Sequence, residues 1–333
     1  MLLEPLPELV SMRPMVLISG FLGAGKTTFL RDLLQQLVPH QLTADVILND
    51  YENANLDAET LQEKAATIAP LASSCACCSG LKDLVDLAVA AQTTRSDVLL
   101  VELNGTADPI PLLESFTLLE RKLRFRPRWQ IGVIDARHFG NRGYYDELEV
   151  QQLQTASHFL LSHLDSVPKS KRKELFTQIQ KLNPYASRTI ASRLAANLAG
   201  VIATSSPVVV SKTEEHPSAH AHHQHGHHLS HTFTGCQILL PPRLRLKQVT
   251  SWLASLPESV IRAKALVTLI EEPGCRKLFE RVGLDTMPKP LEVPISDRVP
   301  TSAICIGPQL DPNELLEHAR QHFGPSVKIP EDE

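Results

Sequence analysis

No apolar run in the chain reaches the ~18 residues that a membrane-crossing helix needs. No surplus of positive charge marks it for nucleic acid either: the net charge is −4 and the isoelectric point lies near 6.4, which argues against a broad phosphate-binding face. The start, Met1-Leu-Leu-Glu-Pro-Leu-Pro-Glu8, does not read as a secretory leader, with an acid where basic residues belong and prolines where a smooth apolar run belongs. Six cysteines in 333 residues do not make a disulfide scaffold. These absences lead us to expect a soluble cytoplasmic protein with reduced thiols and neither a nucleic-acid nor a membrane partner.

Hydrophobic residues make up 43% of the chain and charged residues 21%, enough to bury a core and too apolar for wholesale disorder. At ~150 residues per domain, the length suggests about two domains. Over residues 1–211, short apolar runs alternate with longer stretches of helical period. Met15–Ser19, Asp45–Leu48, Asp97–Glu102, Ile131–Asp135 and His158–Leu161 read as strands, with Pro207–Ser211 as a possible last one. Helical patterns cover Lys26–Leu37, Leu81–Gln92 and Lys171–Leu182. Strands that are apolar throughout and alternate with helices imply an α/β fold, a parallel sheet flanked by helices on both faces.

Residues 212–231, rich in His, Ser, Ala and Glu, lack apolar periodicity and read as a linker. Residues 232–333 read as a smaller α+β domain. Thr232–Leu240, Ala265–Ile270 and Ala303–Ile306 are its candidate strands; Leu246–Leu256 and Pro312–Gln321 are its candidate helices.

Gly20-Phe-Leu-Gly23-Ala24-Gly25-Lys26-Thr27-Thr28 matches G-x-x-x-x-G-K-[ST] at every fixed position and lies between an expected strand and an expected helix. Glycines let the backbone curl until several N–H groups face one phosphate, and the helix N-terminus adds its positive end. A chance match in a chain of this length has odds of about one in a hundred, so we read Gly23–Thr28 as a nucleotide-binding P-loop. Lys26 would reach the β and γ phosphates, and the Thr27 hydroxyl would hold Mg²⁺. A dinucleotide loop is excluded because the third glycine of G-x-G-x-x-G is missing. Glu102 closes a later strand and is a candidate for the Mg²⁺ shell; Asn104-Gly105 follows as a candidate γ-phosphate sensor. Asp135 ends another apolar strand and is open to a structural reading as much as a functional one.

Cys75, Cys77 and Cys78 crowd into four positions just before the helical pattern that starts at Leu81. A helix N-terminus lowers thiol pKa, and thiolates suit zinc or another thiophilic divalent ion. Three thiols leave a tetrahedral site one ligand short, which suits a metal held in order to be passed on. Asp50, Glu52 and Asp57 are the nearest acidic candidates for the fourth position. His216, His220, His222, His223, His225, His227, His228 and His231 form a second concentration of metal ligands. The scattered histidines, such as His138 and His318, read as surface or satisfied core residues.

GFLGAGKTT, Asn49-Asp50-Tyr-Glu-Asn-Ala-Asn-Leu-Asp57, the C-x-C-C segment and Glu102-Leu-Asn-Gly-Thr-Ala-Asp-Pro109 together resemble the CobW-like family of P-loop GTPases, which are metallochaperones and metal insertases. Val133-Ile-Asp-Ala136, Asn183-Pro184, the His-rich stretch and Ile261-Arg-Ala-Lys264 extend the likeness nearly end to end. The resemblance implies a GTPase whose nucleotide state controls delivery of Zn²⁺ or Co²⁺ to a client protein, with Cys75, Cys77 and Cys78 as the metal site. Three positions depart from the family pattern: Ser74 replaces a glycine, Glu102-Leu-Asn-Gly105 replaces E-T-S-G, and Ser162-His163-Leu164-Asp165 replaces the guanine-reading N-K-x-D. Asp165 can still accept from guanine N1–H and N2–H₂, whereas Ser162 and His163 cannot reproduce the amide and the long stem they replace. Each such mismatch costs ~1–3 kcal/mol, so weakened guanine selectivity is expected, with ATP as the competitor. The rival expectations are a metal buffer that binds nucleotide with little turnover, and a P-loop kinase of a small molecule.

Overall fold

The computed structural model describes residues 12–48, 67–70, 78–119, 123, 125–204, 233–282, 285–286, 289–293, 300–308 and 310–330; for residues 67–70, 78–79, 127, 233–234, 285 and 308 it describes the backbone alone. Pro207–Ser211, one of the expected strands, lies outside these residues, as do Asp50, Cys75, Cys77 and the histidine tract.

The chain divides into two compact units, residues 1–108 with 122–232, and residues 109–121 with 233–333. In the first unit, β1 (Arg13–Ser19), β2 (Ala44–Leu48), β3 (Thr67–Pro70), β4 (Val98–Glu102), β5 (Phe125–Asp135), β6 (His158–Ser162) and β7 (Ser187–Thr189) form one sheet in the order β3-β2-β4-β1-β5-β6-β7. Every pairing in it is parallel. Six consecutive residues of β1, from Pro14 to Ser19, are buried, as a strand covered on both faces requires.

The crossover helices are α1 (Lys26–Leu37), α2 (Cys78–Ala91), α4 (Asp146–Gln154), α5 (Lys169–Leu182) and α6 (Ala191–Thr204); α3 (Ile110–Leu118) belongs to the second unit. On one face Phe29, Leu30, Leu33 and Leu34 of α1 pack with Leu194 and Leu198 of α6 over Ile131 and Val133 of β5. On the other, Leu153 of α4 and Leu175 and Ile179 of α5 pack with Ile134 of β5 and Phe159 of β6. The alternation Val133-Ile134 between the two clusters follows from the period of two along a strand.

In this strand order the connections from β1 and β4 leave toward opposite sides, so a crevice opens at the carboxyl end of β1. Open α/β sheets bind ligands at such a point. The ends of β1, β4, β5 and β6 therefore bring the P-loop, Glu102, Asp135 and Ser162–Asp165 to one edge.

The second unit is an antiparallel sheet in the order β11-β10-β9-β13-β8, with β12 pairing β10. Its strands are β8 (Phe233–Leu239), β9 (Arg262–Thr268), β10 (Arg276–Val282), β11 (Asp285–Thr286), β12 (Leu291–Val293) and β13 (Ser302–Pro308). In β9, buried Ala263, Ala265 and Val267 alternate with half-buried neighbours. The buried set packs with Val249, Trp252 and Leu253 of α7 (Leu246–Ser255) and Leu315, Ala319 and Phe323 of α8 (Pro312–Phe323). Helix α3 lies against β8 and β13. Gly235 has no room for a Cβ because Thr117 fills the space. Glu114 of α3 meets Lys264 Nζ at 2.8 Å and Arg262 Nε at 3.3 Å, the first a hydrogen bond and the second a charge contact. Glu280 of β10 pairs with Arg262 as well.

Candidate functional site

The loop after β1 takes its shape from three glycines with positive φ: Gly20 at 139°, Gly23 at 72° and Gly25 at 100°. Side chains rarely adopt these angles, and a Cβ on Gly20 would also strike the Val133 carbonyl of β5. Gly25 caps α1, no side chain caps its amides, and no acid sits in the first turn. An uncapped N-terminus with free N–H groups accepts an anion. Lys26 is buried, and its Nζ bends back over the loop to donate to the Phe21 carbonyl at 3.3 Å.

Thr27 donates its hydroxyl to Glu102 Oε1 at 2.8 Å. The two lie far apart in sequence, and it is the β1–β4 pairing, with Ile18 beside Glu102, that unites them. Glu102 is 3% exposed. A hydroxyl and a carboxylate are hard oxygen donors, and beside an anion-accepting loop they suit Mg²⁺.

The loop after β4 packs on the P-loop and the strand that leads into it, through Leu103 and Gly105. Leu103 donates its backbone N–H to the Ile18 carbonyl at 2.9 Å. Gly105 sits so close to Leu22 that a Cβ there would lie 2.5 Å from the Leu22 backbone nitrogen. Asn104 turns inward on its own loop and accepts from the Thr106 backbone and hydroxyl at 2.8 and 2.9 Å. One partner was not legible in the sequence: buried Gln152 of α4 donates to the carbonyls of Gly105 and Ala107 at 3.2 and 3.0 Å. Nothing in the sequence sets Gln152 apart from Gln151 and Gln154 of the same helix. Arg142 and Tyr145 add a second brace, stacking on the Phe21 ring at 4.3 and 5.3 Å.

The segment after β6 reaches the same crevice. Ser162 is the nearest neighbour a Cβ on Gly25 would meet, at 3.9 Å. Its hydroxyl donates to the Ile134 carbonyl at 3.2 Å. His163 takes a left-handed backbone, φ 53°, and the Asp165 carboxylate is fully exposed with Arg172 at 3.9 Å. Asp135 does otherwise. It is buried, and its carboxylate accepts from the Arg137 side chain at 3.0 and 2.8 Å and from the Arg137 backbone at 3.0 Å. Burial pushes its pKa up, but the Arg137 hydrogen bonds and the charges of Arg137 and His163 outweigh it and hold the carboxyl below its ordinary value. Asp135 thus anchors the turn after β5.

Helix α2 begins at Cys78, three residues before the start the apolar pattern marks. Pro70 ends β3 in register with Leu48, which is in register with Glu102. With strands ~4.8 Å apart, Pro70 lies roughly 10 Å from Glu102 along that edge. Cys75 and Cys77 lie between Pro70 and Cys78 in sequence and outside the described residues.

Residues 14–190 match the description "CobW/HypB/UreG, nucleotide-binding domain". The chain belongs to this family. Among relatives, it is 28% identical over 177 residues to the zinc chaperone YjiA of Escherichia coli, covering 51% of this chain and 54% of that one. It is 32% identical over 118 residues to the zinc-regulated GTPase metalloprotein activator 1 of Dictyostelium discoideum, covering 31% of this chain and 24% of that one. The chain thus spans about half or less of the length of these relatives. A solved structure, the Zn(II)-bound YjiA GTPase from E. coli, aligns over 94% of this chain and 99% of its own at 20% identity and a TM-score of 0.44.

Proposed function

We propose that the protein hydrolyses a nucleoside triphosphate and uses the nucleotide state to control a metal ion, zinc or cobalt, held by Cys75, Cys77 and Cys78 for delivery to a client metalloprotein. The observation that carries the reading is the Thr27–Glu102 contact beneath the P-loop; the end of β3 at Pro70, ahead of the thiols in sequence, lies along the same sheet edge as Glu102 and supports it. The names of the relatives, a zinc chaperone and a zinc-regulated GTPase, support the cargo.

In this mechanism the N–H groups at the start of α1 and the Lys26 ammonium grip the β and γ phosphates, which holds the γ phosphorus in line for attack by water. Thr27 and Glu102 are the residues that would hold Mg²⁺, which would supply charge neutralisation for the triphosphate. Water adds to phosphorus as the bond to the β-phosphate oxygen breaks, giving inorganic phosphate and the diphosphate. Gly105, pressed on Leu22, senses whether the γ phosphate is there, and Gln152 fixes the loop's resting position. Asp50, in the segment between β2 and β3, joins that change to the thiols. The histidine tract from His220 to His228 gathers metal for the cluster.

Base choice follows from the loop after β6. Ser162 spends its only hydrogen on the Ile134 carbonyl, so guanine would be read mainly by Asp165. The substrate is GTP with incomplete rejection of ATP. Turnover of each nucleotide, with and without zinc, tests the reading. Zinc-responsive release of phosphate, with guanine preferred by well under the several-hundred-fold that a fully paired site supplies, is the expected result. Phosphate transfer to a small molecule instead of water, or no turnover with either nucleotide, would contradict it.

A further inference from the structure

Helix α8 carries His318 and His322 one turn apart, beside the Leu315, Ala319 and Phe323 stripe that enters the core of the second unit. The two rings lie with centroids 5.2 Å apart. Both turn the same atom to the same point: His318 Nε2 is 3.2 Å and His322 Nε2 3.1 Å from the hydroxyl oxygen of Ser255, at the end of α7. That hydroxyl donates its one hydrogen to the Trp252 carbonyl at 3.0 Å. It is left with lone pairs only, so both imidazoles must donate to it, and both stand as the Nε2–H tautomer. Two nitrogens thus converge on the Ser255 oxygen, on side chains that are only half-buried.

We propose that His318, His322 and Ser255 form a metal site in the C-terminal unit that takes one divalent cation of the zinc class through the two Nε2 atoms. Two histidines four apart on a helix are a standard chelating pair for such ions, and imidazole suits zinc, nickel, cobalt and copper alike. The site does not depend on the thiol cluster or on nucleotide. Coordination moves the proton of each ring from Nε2 to Nδ1, the Ser255 hydroxyl stays neutral, and water fills the remaining positions.

The same geometry sets the strength. Nδ1 of His318 is buried and has no hydrogen-bond acceptor among the described residues, so the proton that moves there gains nothing. Loss of such a supporting bond typically weakens metal binding by ~10–100-fold. The site is one for exchange, not storage. The acid and thiol group at Glu272, Cys275 and Glu292 is a weaker candidate, because Lys277 Nζ already sits on both carboxylates at 2.6 and 2.8 Å.

Long-range proton–nitrogen correlation spectra of the histidine side chains in the full-length protein test this directly, with His318→Gln and His322→Gln supplying the assignments. Without metal, both rings should show the Nε2–H tautomer. Zinc should convert both to Nδ1–H together. In His318→Gln, the His322 ring should need roughly tenfold or more zinc to respond, because the chelate is gone. Retention of Nε2–H in both rings under zinc that saturates the tract would overturn the site, as would a His322 response in His318→Gln at undiminished affinity.

Discussion

Lys26 and Gln152 brace two neighbouring loops, the P-loop and the loop after β4, with opposite legibility. Lys26 stands in a motif whose parts are contiguous, and strand, glycines and helix all follow within one short stretch of chain. Lys26→Ala removes a charge-assisted bond worth ~1.5–3 kcal/mol, so nucleotide affinity should fall roughly 10- to 150-fold by calorimetry. Undiminished affinity would remove the P-loop assignment. Gln152 is joined to residues 105 and 107 only by tertiary packing, which no local pattern announces. Gln152→Leu leaves two buried carbonyls without their donor and should cost about 1–3 kcal/mol in denaturant titration, together with a lower turnover as the sensor loop loses its rest position. Asp135 adds a pH effect. Its folded pKa lies below the ordinary value, so its bonds to Arg137 stabilise the fold in full above the ordinary carboxylate range, and that contribution drains away as pH falls through the folded value. The stability gap between wild type and Asp135→Asn should therefore be wide at neutral pH and shrink as pH drops below the ordinary carboxylate range.

Among the elements, those with long periodic patterns were readable and the short ones were not. Strands β1, β2, β4 and β6 fall within a residue or two of their apolar runs. β3 and β7 are only four and three residues long, too short for any period to show. β10 escaped for another reason: Arg276, Lys277 and Arg281 are buried charges in a strand that looks polar by composition. Helix α3 is the least expected placement, because residues 109–121 follow the sensor loop without a break yet belong to the second unit. Its anchor is Glu114 on Lys264 and Arg262. Glu114→Gln leaves those two cations with Glu280 alone and should speed amide hydrogen exchange in α3 while α1 keeps its protection. Unchanged exchange in α3 would show that apolar packing alone holds the helix.

For the whole molecule, the proposal gives the thiol segment and the histidine tract different tasks. Three thiolates close together form one tight site, whereas imidazoles strung along residues 216–231 form several weak ones, each opposed by the ordering of the chain. Deleting Pro217–Ser230 should lower the total zinc bound and spare the tightest site; Cys77→Ser should do the reverse. Residue type and spacing are what point to both segments as metal ligands, and Cys75, Cys77 and the tract lie outside the described residues. The central claim is that nucleotide governs the thiol site, and zinc competition against a high-affinity chelator, with and without Mg-GTP, reads it most directly. The account predicts that zinc affinity of the tightest site changes with nucleotide in the full-length protein and in the tract deletion, and that the tight site disappears in Cys77→Ser. Tight zinc binding that ignores nucleotide, or that survives Cys77→Ser and vanishes with the tract, would contradict it.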